Sequence, residues 1–284
     1  MTTATLPSRA PASNTVQYAR AFVGLFLRDA YVLRREMFPF VIRVCMNPLL
    51  FLFVFTFIMP HMSGGAAMNP TASMAAATGV SFSTVLLPGL MAVAIMFSGI
   101  AAVALPLAQE FGVTREIDDR VMCPLPVAAV AIEKICFSAV QSVIAAVIVF
   151  PLAYYVPSTP VVAHITSWPL LIAVVLLASL TSGALGLTIG TSVKPQQIGL
   201  IFGVVVMPIT FLGCVYYPWT ALEKIKWLQR AVLVNPIVYM SEGLRASLTP
   251  VGHMQIAYVI LMLVFFLCLL TWLGIRGFLR RVIG

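Results

Sequence analysis

Four long stretches of this 284-residue chain contain no charged side chain, and they limit the architectures that it can adopt. They cover residues 44–109, 135–193, 195–222 and 246–275. A helix needs about 20 apolar residues to cross the hydrocarbon core of a bilayer. The two longest stretches therefore have room for two spans each, and the two shorter stretches for one each. The pattern predicts an all-α membrane protein with six transmembrane helices.

The composition supports a membrane protein. Only 9% of the residues are charged and 61% are hydrophobic, whereas about 25% of a soluble domain is charged. So little polar material cannot cover the outside of a soluble core, and so apolar a chain is not disordered. Soluble enzyme classes are therefore excluded.

Polar and proline-containing breaks place the six spans along the chain. We expect the spans near residues 40–60, 84–107, 132–156, 169–192, 198–217 and 254–275. They make up a six-helix domain over 37–284. Residues 1–14 are rich in Ser, Thr, Ala and Pro and are predicted to be disordered.

The basic residues predict the orientation. Six spans put both termini on one side, and the segments on that side hold 13 of the 17 Lys and Arg residues. The positive-inside rule makes that side cytoplasmic. We therefore expect a multi-pass protein of the inner or plasma membrane. No basic patch with interleaved aromatic residues points to a nucleic-acid partner.

Residues 15–36 predict an amphipathic helix in the cytoplasmic membrane interface. Apolar residues recur there at steps of three and four, while Arg20, Arg28 and Arg35 lie on another face. Those arginines are expected to face lipid phosphates. The alternative is an extension of the first span whose arginines snorkel to the interface.

The loop between the second and third spans is short and highly charged. Its charges are Glu110, Arg115, Glu116, Asp118, Asp119 and Arg120. A turn between two spans needs far less charge than this. Docking to another protein is therefore favoured over a solvated loop without a function.

An unusual segment, residues 218–250, precedes the last span. Pro218 and Trp219 open it, Asn235-Pro236 interrupts it, and a second short helix carries Glu242 and Arg245. Two short amphipathic helices before a final span are typical of a re-entrant or interfacial hairpin, here on the outer side.

Catalytic and ion-coupling signatures are missing from the sequence. No ionisable residue lies in the interior of a predicted span, since Glu133, Lys134 and Arg43 lie at span edges. The lack of such residues disfavours an ion-coupled antiporter or a voltage-gated channel. An ion-driven transporter that uses only backbone and hydroxyl ligands stays open. No phosphate-binding loop or protease motif occurs. The chain is therefore not expected to be an enzyme or to bind a cofactor itself.

Soft metal ligands form only one loose group. It lies in the first outer loop and contains Met59, His61, Met62, Met68 and Met74. Thioethers suit Cu(I), but without a repeated spacing chance composition is favoured over a metal site. The five scattered cysteines are interpreted as small buried hydrophobic residues.

Three motifs in this order resemble the membrane subunits of ABC-2 type exporters. The first is Asn47-Pro48-Leu49-Leu50-Phe51 after Arg43, and the second is the charged loop from Glu110 to Lys134. The third runs from Tyr216-Tyr217-Pro218 through Asn235-Pro236 to Glu242-Gly243-Leu244-Arg245.

The resemblance implies a homodimer or heterodimer of permease subunits on two copies of an ABC ATPase, which bind ATP and Mg. The charged loop would be the ATPase-coupling helix, residues 15–36 an elbow helix, and the hairpin an exit gate. Charge-free spans favour export of a hydrophobic drug-like molecule or a lipid. Export of a polysaccharide or glycolipid, or a scaffold that transports nothing, remain alternatives.

Overall fold

The computed structural model describes residues 14–58, 79–114, 125–157, 161 and 163–283, and within these ranges it is helical, without a strand. The helices are α1 (Asn14–Arg35), α2 (Met37–Leu52), α3 (Phe82–Gln109), α4 (Val127–Tyr155), α5 (Trp168–Ser192), α6 (Pro195–Phe211), α7 (Lys226–Ala231), α8 (Pro236–Leu248) and α9 (Ile256–Ile283). The predicted all-α class is confirmed for this part of the chain.

Four of these helices, α3, α4, α5 and α9, are long and apolar enough to cross a membrane. The other two predicted spans correspond to the shorter apolar helices α2 and α6. At 1.5 Å per residue α6 is only about 25 Å long, and it contains a π-helical turn at Phe202–Val206. A π-helical turn, Phe53–Ile58, also follows α2. By length and composition, four helices of the described residues are therefore candidate spans, and the predicted count of six is not confirmed.

Helix α3 forms the centre of the bundle. Every side chain from Ser83 to Met96 is buried, and α4, α5 and α8 pack around it. Helix α9 lies at the edge, with Leu261, Phe265 and Trp272 exposed. Exposed apolar side chains of this kind suit contact with lipid.

Small residues let α3, α4 and α5 approach closely. A Cβ atom on Gly99 would lie 2.1 Å from the Ser182 hydroxyl, and one on Gly186 would lie 2.9 Å from the Ile100 Cα. The Ser142 hydroxyl on α4 donates to the Ile95 carbonyl of α3 at 3.1 Å. Small residues with hydroxyl donors at helix crossings are typical of membrane bundles.

The bundle has two distinct ends. We call one the loop end, where α3 finishes, α4 begins, and α5 and α9 finish. We call the other the hairpin end, which carries the hairpin segment, residues 212–255. In that segment Leu248 and Ser247 accept backbone hydrogen bonds at 3.0 Å from His164 and Thr166, just before α5.

Three predicted boundaries were wrong. Helix α6 ends at Phe211 rather than 217, because Cys214 has a positive φ of 52° and breaks the helix. Helix α9 continues past 275 to Ile283. Its last turn carries Arg280 and Arg281, whose positive charges interact favourably with the negative C-terminal end of the helix dipole. Helix α4 starts at Val127 rather than 132.

Candidate functional site

A buried ion pair occupies the middle of the hairpin segment. Glu242 and Arg245, one turn apart on α8, are both 0% exposed and form a salt bridge. Glu242 Oε1 also accepts from the Trp219 amide at 3.0 Å, and Oε2 accepts from the Met254 amide at 2.9 Å. Arg245 Nη2 donates to the Cys214 carbonyl at 3.1 Å. The pair therefore joins three parts of the hairpin segment: the turn after α6 at Cys214, the chain at Trp219 and the stretch before α9 at Met254.

Asn235 fastens the start of α8 to α6. Its Oδ1 accepts from the Ile237 amide at 3.1 Å, while its Nδ2 donates to the Ile209 carbonyl at 2.6 Å. Asparagine is a preferred N-cap, and Pro236 fills the first helical position, where a missing N–H costs nothing. The break predicted at Asn235-Pro236 is thus the beginning of a capped helix.

The turn at Gly213 and Cys214 is packed too tightly for larger residues. A Cβ atom on Gly213 would lie 1.8 Å from Ile237 Cγ2, and one on Gly89 of α3 would lie 1.9 Å from the Val215 carbonyl oxygen. Burial, and after it the Glu242 carboxylate, raises the pKa of the Cys214 thiol to about 12. The thiol is consequently protonated and unreactive at neutral pH.

The two helices of the hairpin segment differ in burial. All thirteen residues of α8 are buried, including the charged Glu242 and Arg245, whereas α7 buries none of its residues. Pro218 is also buried, and the Trp219 indole N–H donates to the Gln229 carbonyl at 3.3 Å. The six predicted hairpin residues, Pro218, Trp219, Asn235, Pro236, Glu242 and Arg245, all lie within this packed unit.

A second buried ion pair closes the loop end. Lys134 Nζ lies 2.9 Å from Glu110 Oε1, and the two side chains are 4% and 6% exposed. Glu133 beside it is also buried. Glu133 and Lys134, which we predicted at a span edge, lie six and seven residues after the start of α4 at Val127. The pair fixes the end of α3 to α4.

Phe111, directly after α3, is held by α9. Its ring lies 6.1 Å from the Phe278 ring, and the Arg281 guanidinium sits 5.2 Å above it. Arg281 also donates to the carbonyls of Gly190 at 3.3 Å and Val193 at 2.5 Å, which are among the unpaired carbonyls at the end of α5.

The next residue extends this junction to α6. A Cβ atom on Gly112 would lie 2.8 Å from Pro195 Cβ, so the chain passes close against the first turn of α6. Residues 110–112 thus touch α4, α6 and α9, and α5 is reached through Arg281. Sequence reasoning missed this junction, and the only available signal was the arginine-rich end of α9.

The rest of the predicted coupling loop lies outside the described residues, as does the soft-ligand group of the first outer loop. These residues are Arg115, Glu116, Asp118, Asp119 and Arg120 of the loop, and Met59, His61, Met62, Met68 and Met74 of the group. The predicted disordered segment also falls there, apart from Asn14. Within the described ranges no three His, Cys, Asp or Glu residues form a group that could hold a metal ion.

Helix α1 packs on α4 through one apolar face. Leu25 is buried, and the Phe26 ring meets the Phe137 ring edge-on at 5.6 Å. Leu27 and Tyr31 on another face are exposed. The three arginines proposed for this helix, Arg20, Arg28 and Arg35, are exposed as well. The membrane-interface position of α1 stays a prediction.

Comparison with known proteins gives one consistent match. Residues 20–249 match the ABC-2 type transporter family. The inner membrane transport permease YadH of Escherichia coli is 25% identical over 193 residues, which cover 66% of this chain and 72% of that protein. The permease of the same name from Shigella flexneri is similar to the same extent.

Proposed function

Because the chain belongs to the ABC-2 type transporter family, we propose that it is the membrane permease subunit of an ATP-driven exporter. Its cargo is a hydrophobic drug-like molecule or a lipid, taken from the cytoplasm or the inner leaflet. The observation that carries this proposal is the junction at residues 110–112, which ties the start of the charged loop to four helices.

The junction supports a mechanical role for the charged loop. Glu110 is anchored to Lys134 on α4, and Phe111 lies between Phe278 and Arg281 of α9. A displacement that reaches residues 110–112 therefore acts on the helices through these packed contacts. In this proposal Glu110, Arg115, Glu116, Asp118, Asp119 and Arg120 form the coupling loop that docks on the ATPase, which binds ATP and Mg.

Six crossings complete the transport domain. The shorter helices α2 and α6 join the four long spans, which puts both termini and the loop end in the cytoplasm. The excess of basic residues in the segments on that side supports this orientation. Helix α1 is the elbow in the cytoplasmic interface, with Arg20, Arg28 and Arg35 near lipid phosphates.

A second permease subunit covers the apolar faces of α2 and α6. Phe38 and Leu50 of α2 are 77% and 55% exposed, and Leu200 and Val204 of α6 are 65% and 64% exposed. Both helices are also the shortest crossings, so neighbouring protein would help to bury them. Two permease subunits carry two ATPase subunits.

The span interiors support the proposed cargo class. Helices α3, α5 and α6 contain no charged residue, and a path between them offers little to a strongly polar solute. The hairpin segment contributes the exit gate. The contacts within the hairpin segment, above all the ion pair of Glu242 and Arg245, favour movement of the segment as one unit. The residues around Asn235 connect this unit to α6.

The coupling proposal is tested by reversing charge in the loop. The variant Asp118→Lys/Asp119→Lys is co-expressed with its ATPase, and ATP hydrolysis and dye or lipid efflux are measured in proteoliposomes. We expect efflux to fall at least tenfold while membrane insertion is unchanged. Glu223→Lys, at an exposed acid of the hairpin end, is the matched control and should transport normally.

Two outcomes would contradict the proposal. Unchanged efflux in the loop variant would remove the coupling role from residues 110–120. Failure of the purified chain to bind any ATPase while efflux follows an ion gradient would refute the ATP-driven mechanism itself.

A further inference from the structure

A cavity of about 570 Å³ opens at the loop end, between α1, α2, α3 and α4. Six charged side chains line it: Arg28, Arg43, Lys134, Asp29, Glu36 and Glu110. Three are cations and three are carboxylates, so the formal charge of the lining is zero. Because the lining is neutral, a bound ligand with a net charge would leave the occupied site with one charge that has no opposite partner.

Arg43 is the cation that the apolar helix α2 contributes to this cavity, and it is exposed there. It sits in the second turn of α2, with its guanidinium 5.8 Å from the Phe40 ring centre. Arginine within a membrane helix is costly and usually marks a functional site. Its guanidinium binds phosphate through two parallel hydrogen bonds. Lys134, by contrast, is already paired with Glu110 at 2.9 Å.

A second cavity of about 280 Å³ continues the first one into the bundle. The two cavities share Arg43, Ala101 and Leu105. The rest of the second lining is apolar apart from Ser98, and consists of Val44, Pro48, Val93, Ala94, Phe97, Gly199 and Phe202. Along α3 its innermost residue, Val93, is eight residues before Ala101, or about 12 Å deeper. The path thus changes from charged to apolar with depth.

We propose that these two cavities hold one zwitterionic phospholipid of the leaflet at the loop end. Its phosphate binds Arg43, its ammonium group faces the carboxylate of Glu36, and one acyl chain enters the second cavity. The balanced charge of the lining selects a zwitterion over an anionic lipid. The site lies within a single subunit and requires neither ATPase nor cargo.

Native mass spectrometry of the full-length chain tests this proposal. The protein is reconstituted with equimolar phosphatidylethanolamine and phosphatidylglycerol of different chain masses, then released from detergent in the spectrometer. We expect one retained phosphatidylethanolamine, and at least a tenfold loss of it in Arg43→Gln. The matched control is Arg276→Gln, because Arg276 also lies against an aromatic ring, 5.5 Å from Trp272, but lines neither cavity.

A second variant tests the chain-binding part without touching a charge. A Cβ atom on Gly199 or on Gly203 meets no atom within 4 Å, so both positions accept a side chain. Only Gly199 lines the second cavity. Gly199→Leu should therefore lower lipid retention several-fold, whereas Gly203→Leu should not. Unchanged size-exclusion profiles establish that both variants are folded.

Three results would overturn the proposal. Equal losses in the Arg43 and Arg276 variants would show that retention does not depend on this site. Preferential retention of phosphatidylglycerol would refute the zwitterion. Displacement of the lipid by an equal concentration of glycerophosphoethanolamine would show that the site binds the free phosphate ester. None of these results depends on efflux, so the transport proposal is tested separately.

Discussion

Replacing Glu242 with glutamine tests how far the buried ion pair holds the hairpin segment together. The substitution keeps the shape of the side chain but removes its charge, and Arg245 stays 0% exposed without a carboxylate partner. The glutamine can still accept one of the two amide hydrogen bonds, from Trp219 or from Met254. Its NH₂ group cannot accept the other, so one buried N–H loses its acceptor.

The expected loss of stability follows from these two changes. Breaking a buried pair by removing one partner costs about 3–5 kcal/mol, because the other charge remains buried. A lost hydrogen bond to a charged group costs about 1.5–3 kcal/mol and is partly contained in that figure. We therefore expect a free energy of unfolding lower by about 3–5 kcal/mol. At about 2–4 °C per kcal/mol, Tm would fall on the order of 10 °C.

The assay is thermal unfolding of the detergent-purified protein, followed by size-exclusion chromatography of the fraction that remains folded. Glu223→Gln is the matched control, since Glu223 is an exposed acid of the same segment and should shift stability by no more than about 0.5 kcal/mol. The double variant Glu242→Gln/Arg245→Met should recover part of the loss, because it removes the stranded cation as well. Equal Tm values for Glu242→Gln and Glu223→Gln would refute the reasoning.

Three further outcomes are expected. Gly89→Ala should lower the free energy of unfolding by about 1–3 kcal/mol, because the added methyl group clashes with a backbone carbonyl. Gly24→Ala places its methyl group in open space and should raise the free energy of unfolding by about 0.5–1 kcal/mol. Thermal unfolding of the two variants compares these effects. Arg281→Gln should lose about 1–3 kcal/mol with its two carbonyl contacts, and an equal loss in exposed Arg280→Gln would contradict that. With its pKa near 12, Cys214 should resist maleimide at pH 7 until the chain is denatured, as read by peptide mass.

The sequence predicted the long helices well because a membrane demands uninterrupted apolar runs. Helices α3 and α5 lie within two residues of their predicted bounds at both ends. The end of α6 was missed because Cys214 and its neighbours are as apolar as the helix before them. Their turn is caused by contacts with α3 and α8, which hydropathy cannot reveal.

The candidate site was only partly predictable for a related reason. Asn235-Pro236 marks a helix start by local chemistry alone, so its position could be read directly. Glu242 and Arg245, three residues apart, look like a solvated pair on a helix surface. Their burial comes from partners up to 31 residues away, and Phe111 meets Phe278 only through tertiary packing.

Arg281 has a consequence for the order in which the chain can assemble. Its guanidinium closes the carbonyls at the end of α5, including that of Val193, which is synthesised 88 residues earlier. The Glu242 network, in contrast, draws all its partners from the stretch between Cys214 and Met254. During translation the charges of Glu242 and Arg245 can therefore be neutralised before the last span emerges from the ribosome. The carbonyls at the end of α5, in contrast, receive their hydrogen bonds from Arg281 only after that span has been synthesised.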